Sequence, residues 1–96
     1  MLIVDTHCDT LTKIMETKEG LRENNCHIDL KRLSQFDKSV QFFACFIDTI
    51  YNKTNTSLKR VLEIIDKAYC EFDQNRDYIS LCKSYEDIKY AHSQKK

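Results

Sequence analysis

The residues best suited to chemistry in this sequence are His7 and Asp9, which stand two positions apart near the N-terminus. They follow the branched apolar run of residues 2–4, which predicts a buried strand. Alternate side chains of a strand share a face, so His7 and Asp9 should point one way and Cys8 the other. An imidazole beside a carboxylate is a typical ligand pair for zinc. From these three residues alone, a hydrogen-bonded pair at a strand end is the favoured interpretation, and metal ligation is the alternative.

The composition fits one small domain. The chain has 96 residues, of which 42% are hydrophobic, and chains of about 100 residues can bury a usable core. Lys plus Arg number 15, as do Asp plus Glu, so the formal net charge is zero. Without an excess of basic residues the chain lacks the electrostatic attraction that polyanions require, so we expect neither nucleic acid nor a membrane as a partner.

Cysteine usage and the N-terminal residues predict a cytoplasmic location. No basic region precedes a long apolar segment, and no run approaches the roughly 18 apolar residues of a spanning helix. The five cysteines are odd in number and form no C-x-x-C pair, which suits neither a disulfide framework nor a zinc knuckle. We therefore expect reduced thiols at Cys8, Cys26, Cys45, Cys70 and Cys82.

Several elements must position the His7 and Asp9 pair. Apolar residues at helical spacing predict a helix over residues 10–19 with Gly20 as its left-handed cap. Asp29 predicts the cap of a second short helix. His27 lies just before that cap, where it is either a surface residue or a ligand, and the surface position is favoured.

The second half of the chain predicts a strand and a long helix. Residues 40–47 are almost entirely apolar, which favours a strand covered on both faces. A polar loop over residues 51–57 precedes a helix over residues 58–72, with Arg60 and Glu71 among its outward charges. Its apolar stripe, expected to pack on the strands, comprises Leu58, Val61, Leu62, Ile65, Ala68, Tyr69 and Phe72.

The remaining residues complete an α/β pattern. Residues 78–82 predict a short extended piece, and Ser84 predicts the cap of a last helix through His92. The order strand, helices, strand and long helix predicts an α/β fold with two main parallel strands and covering helices.

Taken as a whole, the chain resembles the N-terminal part of the membrane dipeptidase (renal dipeptidase) family, peptidase family M19, and in particular its soluble bacterial branch. The similarity is spread over five ordered segments rather than confined to H-x-D. They are Val4-Asp5-Thr6-His7-Cys8-Asp9-Thr10, His27-Ile28-Asp29-Leu30-Lys31-Arg32-Leu33, Val40-Gln41-Phe42-Phe43-Ala44, the long helix, and Ser84-Tyr85-Glu86-Asp87-Ile88.

The resemblance implies a (β/α)8 barrel that hydrolyses dipeptides at a binuclear zinc site, with His7 and Asp9 as metal ligands. Active sites of such barrels gather at the C-terminal ends of the strands, where this pair falls. In the family, the Glu that bridges the metals, further His ligands and the substrate-binding residues come later in the chain. None of them has a counterpart here, so we expect no catalytic residue within this span.

These observations predict that residues 1–96 are the N-terminal segment of a dipeptidase barrel, because such a barrel needs roughly 250 residues. The expected function is zinc-dependent hydrolysis of a dipeptide substrate, with the 96-residue chain alone inactive. The alternative is a truncated, non-catalytic fragment or a small α/β interaction module of the same ancestry. An incomplete barrel leaves sheet edges and apolar surface uncovered, so self-association is also expected.

Overall fold

The computed structural model describes residues 1–96 and has an α/β order. Its two strands, β1 (Leu2–Cys8) and β2 (Lys38–Phe43), pair in parallel in one sheet. Five helices accompany them: α1 (Thr10–Thr17), α2 (Leu30–Leu33), α3 (Thr49–Lys53), α4 (Ser57–Gln74) and α5 (Tyr85–Ser93). The predicted adjacent parallel strands are confirmed. None of the helices combines the length and the apolar character needed to cross a bilayer.

The end of α1 differs from the prediction. The helix stops at Thr17, and Lys18, with φ 60°, takes the left-handed position assigned to Gly20. Gly20 has no positive φ. A Cβ at that position would lie 3.1 Å from Oε1 of Glu71, so the glycine makes room for a carboxylate instead.

The predictions for β2 and the segments after it were wrong in extent. The strand covers Lys38–Phe43 rather than residues 40–47. Part of the predicted 51–57 loop is α3, whose first turn is capped by Asp48, with Oδ1 accepting the N–H of Ile50 at 3.0 Å. Residues 79–82 belong to no helix or strand, so the extended piece predicted at 78–82 does not pair into the sheet.

The core lies between α1 and α4. It is built from Leu11 and Ile14 of α1 and from Ile64 and Ala68 of α4. Ile64 is 0% exposed, whereas its neighbour Ile65 is 37% exposed. The predicted stripe contained Ile65 and omitted Ile64, so α4 is rotated about its axis relative to the prediction.

A buried carboxylate accounts for that rotation. Glu71, predicted to face solvent, is buried against the loop that follows α1. Its Oε1 accepts a hydrogen bond from the Leu21 N–H, and Nζ of Lys67 lies 3.5 Å from its Oε2. Burying a carboxylate is costly unless it is hydrogen-bonded, and these two donors offset that cost. Glu71 therefore links this loop to α4 through its hydrogen bond with Leu21.

Asp29 stabilises the loop between α1 and α2 at the end next to α2. It caps α2 as predicted: Oδ1 accepts the Arg32 N–H at 2.8 Å. Its Oδ2 accepts the Asn24 N–H at 3.0 Å, and the Arg32 guanidinium lies 3.0 Å from the same oxygen. The cap predicted at Ser84 is also confirmed, because its Oγ accepts the Asp87 N–H at 3.1 Å.

The Asp29 network predicts a loss of stability in acid. Burial by itself would raise the pKa of Asp29, but hydrogen bonds from the Arg32 side chain and from the backbone N–H groups of Asn24 and Arg32 outweigh it, so the pKa is lowered. A carboxyl with a depressed folded pKa stabilises the fold fully above its unfolded pKa of about 3.9, and this stabilisation is lost as pH falls through the folded pKa.

We expect Asp29→Asn to lower the free energy of unfolding at pH 7 by about 2 kcal/mol, since hydrogen bonds to charged groups are worth about 1.5–3 kcal/mol. The difference from the wild type should shrink below pH 4 as the wild-type carboxylate is protonated. Urea unfolding followed by circular dichroism at several pH values measures both effects. Asp66→Asn, an exposed change on α4, is the control and should follow the wild type. A constant difference between Asp29→Asn and wild type across this range would contradict the assignment.

Candidate metal site

The candidate site lies where the sheet ends. His7 is the penultimate residue of β1, and Asp9 occupies the N-cap position of α1 immediately after the strand. Because β1 and β2 are parallel, their C-terminal ends meet at the same edge of the sheet. The strand exit and the start of α1 together fix the two side chains.

An irregularity in β1 directs these side chains. Asp5 pairs with Gln41 and Cys8 pairs with Phe43, so β1 advances three residues where β2 advances two. One extra residue in a strand reverses which face the following side chains occupy. The bulge therefore puts Cys8 on the covered face with Asp5 and leaves His7 on the open face.

Asp5 holds the bulge in place. Its Oδ1 accepts the backbone N–H of His7 at 3.3 Å, and its Oδ2 accepts Nε2 of Gln41 at 2.9 Å across the sheet. The sequence analysis gives Asp5 no role of its own, although it lies in the Val4–Thr10 segment that carries the family resemblance. It is a positioning residue, because it fixes the backbone from which the His7 side chain leaves.

His7 and Asp9 lie together, as predicted. Nε2 of His7 is 3.2 Å from Oδ1 of Asp9, and the side chains are 64% and 51% exposed. Cys8 is buried beneath them, and burial raises the pKa of its thiol, which keeps it protonated at neutral pH. The predicted orientation of the three side chains is confirmed, while the metal-binding role of His7 and Asp9 stays a prediction.

The donor pair fits one edge of a zinc site. Two ligand atoms that each lie about 2.1 Å from a tetrahedral zinc ion are about 3.4 Å apart, close to the spacing of the His7 and Asp9 atoms. The structure contains no group of three or more His, Cys, Asp and Glu side chains suited to a metal ion. His27 is exposed and forms no such group with this pair, and its carbonyl accepts a hydrogen bond from Nη1 of Arg32 at 3.1 Å. These residues therefore supply two ligands and no more.

A cavity of about 200 Å³ opens beside Asp9, between α1, α3 and the start of α4. Sequence reasoning missed it, because its wall depends on α3, which had been predicted as a loop. Arg60, which lines the cavity, had been grouped with the solvent-facing charges of the long helix. No local signal in the sequence distinguishes it from those neighbours.

Comparison with protein families gives one match. The model of the membrane dipeptidase family, peptidase family M19, matches residues 1–96 and so covers the whole chain, including His7 and Asp9. Neither the curated proteins nor the solved structures gave a match. On the strength of the match over its full length, the chain belongs to the membrane dipeptidase family, peptidase family M19.

Proposed function

We propose that this chain supplies His7 and Asp9 as ligands of one zinc ion in a dipeptidase. The observation that carries the proposal is the imidazole nitrogen 3.2 Å from a carboxylate oxygen at the exit of β1, in a chain that belongs to a dipeptidase family. When bound, zinc would supply a nucleophilic water at neutral pH, by lowering its pKa to about 7. His7 and Asp9 would hold the ion at the C-terminal edge of the sheet. Asp5, which accepts a hydrogen bond from the His7 N–H, would keep the His7 side chain directed towards the ion.

We further propose that the complete fold is a (β/α)8 barrel in which additional elements supply the remaining ligands of a binuclear site. Two features support this: the strands are parallel, and one face of the sheet is open. Leu2, Val4 and Phe42 are exposed on that face although they are apolar. Barrel interiors are filled by layers of such side chains. Residues 1–96 alone, with two ligands, should therefore be inactive.

Zinc binding by the chain tests the ligand assignment. We expect wild-type protein to bind one zinc ion weakly, because water must occupy the coordination positions that the two side chains leave open. His7→Ala and Asp9→Ala should each weaken binding by about tenfold or more, a difference of about 1.4 kcal/mol. Competition against a chromogenic chelator gives the affinities.

His27→Ala is the matched control, since it removes an exposed imidazole outside the pair. It should bind zinc as the wild type does. If His7→Ala and His27→Ala lower the affinity equally, the binding is adventitious and the ligand assignment fails.

A non-catalytic interaction module is the second candidate function. Exposed apolar side chains along the outer face of α4 favour it, namely Leu58, Leu62 and Tyr69. A contiguous apolar surface of this kind is typical of a contact with another protein. Such a module would still bind its protein partner when His7 is replaced, whereas the zinc enzyme would lose its hydrolytic activity.

Both candidates predict self-association of the purified chain. We expect sedimentation velocity to show larger species as the concentration rises, because association would cover the outer face of α4 and the open face of the sheet. Leu62→Glu should weaken association by about tenfold, since it places a charge in that surface. Lys59→Glu, on the same helix, is the control for the added negative charge. A wild-type monomer at every concentration would exclude self-association.

A further inference from the structure

One edge of β2 is not paired with another strand. The N–H of Lys38 bonds the carbonyl of Met1, so the backbone groups of Lys38 face β1. Because the backbone groups of successive residues point to opposite edges of a strand, those of Ser39, Gln41 and Phe43 face away from β1. β2 therefore presents a row of backbone groups to which a further strand can pair.

This edge lacks the usual protections against pairing with another chain. Natural edge strands are often protected by charged side chains or by proline. Residues 39–43 of β2, with the sequence Ser-Val-Gln-Phe-Phe, contain neither. Phe42 is also 56% exposed, although it is large and apolar. The side chains of the strand therefore do nothing to prevent edge-to-edge pairing.

α5 covers part of this edge. A carbonyl oxygen can only accept, so Nε2 of His92 donates the hydrogen bond of 3.1 Å that joins it to the Ser39 carbonyl. This bond occupies the first of the outward acceptors of β2. Ala91 is buried, and it lines, together with Ile88 and His92, the same groove as Val40. A helix placed over an edge strand is one of the ways in which proteins protect such an edge.

The attachment of α5 is weak. Apart from the bond between His92 and Ser39, no hydrogen bond or ion pair joins α5 to residues 1–82. α5 has nine residues, and isolated helices shorter than about 12–15 residues are marginal in water. Residues 79–84, which precede it, belong to no helix or strand. α5 can therefore leave the edge while the sheet and the core between α1 and α4 stay folded.

We propose that α5 is a strap over the edge of β2, and that its release allows this edge to pair with the same edge of a second copy of the chain. The edge is self-complementary in the antiparallel orientation. With Gln41 opposite Gln41 of the second copy, Ser39 lies opposite Phe43, and no like charges meet. All three residues then exchange hydrogen bonds with the second copy. The inference goes beyond the proposed function, because neither His7 nor Asp9 takes part in it.

Amide hydrogen exchange followed by mass spectrometry tests the strap. We expect His92→Ala to speed exchange in α5 by about fivefold, the effect of losing one hydrogen bond, and to leave α4 unchanged. His92→Gln should restore most of the protection, because its side-chain amide can donate in place of Nε2. Lys89→Ala, an exposed change on the same helix, is the control. Equal exchange of α5 in His92→Ala and Lys89→Ala would overturn the role of His92.

Sedimentation velocity tests the pairing of two copies. The measurements are made in a Leu62→Glu background, which weakens association through the outer face of α4. There, His92→Ala should raise the association constant by up to about 25-fold, because both copies must be open and each opens about fivefold more often. An association constant that His92→Ala leaves unchanged would overturn the pairing.

A second substitution assigns the gain in association to the edge of β2. Ser39→Pro removes the outward N–H of Ser39 and, added to His92→Ala, should reverse the gain, since proline is tolerated at an edge but cannot donate. Phe42→Lys, which places a charge on the strand, should have the same effect and replaces Ser39→Pro if circular dichroism shows that the proline variant does not fold. A gain in association that survives the edge substitution would overturn the proposal.

Discussion

We expect His7→Ala to lower dipeptide hydrolysis by orders of magnitude in a zinc-loaded enzyme that contains this chain. The substitution removes the imidazole of the proposed ligand pair, so the ion is lost or displaced from the position that activates water. The measurement is kcat/KM at saturating zinc for a simple dipeptide. Cys8→Ala is the control: the thiol is buried on the other face and should affect the rate by no more than about twofold.

The same substitution distinguishes the enzyme from the isolated chain. Purified residues 1–96 should show no hydrolysis with added zinc, and His7→Ala should leave that result unchanged. Zinc-dependent turnover by the purified chain, abolished by His7→Ala, would contradict this expectation. It would mean that several copies of the chain pool their ligands in an oligomer.

We expect Ile64→Ala to destabilise the fold strongly. Ile64 is fully buried against α1, and truncating a buried isoleucine to alanine costs about 2–5 kcal/mol. Whole domains are stable by only about 5–15 kcal/mol, and this one has a core of few residues. We expect the urea midpoint to fall sharply and the near-ultraviolet circular dichroism to diminish.

Ile65→Ala provides a control of identical chemistry one residue along the same helix. Ile65 is partly exposed, so its truncation should cost less than about 1 kcal/mol. Equal losses in Ile64→Ala and Ile65→Ala would contradict the orientation of α4. The comparison is informative because the apolar pattern alone favours Ile65 as the buried residue.

The sequence predicts that α4 is an amphipathic helix but not which of its faces is buried. Its length and amphipathic character are local properties, and they were predicted from its periodicity. The buried face is not local, because Glu71 is buried only where the Leu21 N–H meets it from 50 residues away. A pattern that places every charge in solvent cannot anticipate a carboxylate whose partner is a backbone group in a distant loop.

The candidate site was predicted in the same partial way. Alternation along an extended chain predicts that His7 and Asp9 lie together with Cys8 directed away, and that relative arrangement is confirmed. The bulge that directs them depends on how β1 pairs with β2, and the cavity depends on α3. Cross-strand register and the packing of a short helix are tertiary properties, so the sequence carries no signal of the part that Asp5 plays or of the cavity.

The Leu21 to Glu71 hydrogen bond also predicts an order of events in folding. Closing a loop of 50 residues carries an entropic cost that is met only after α4 has docked on α1. The segment after α1 should then become ordered late and open together with the last turns of α4. Amide hydrogen exchange at Leu21 and at Asn75, whose N–H bonds the Glu71 carbonyl at 3.1 Å, would follow one shared opening event.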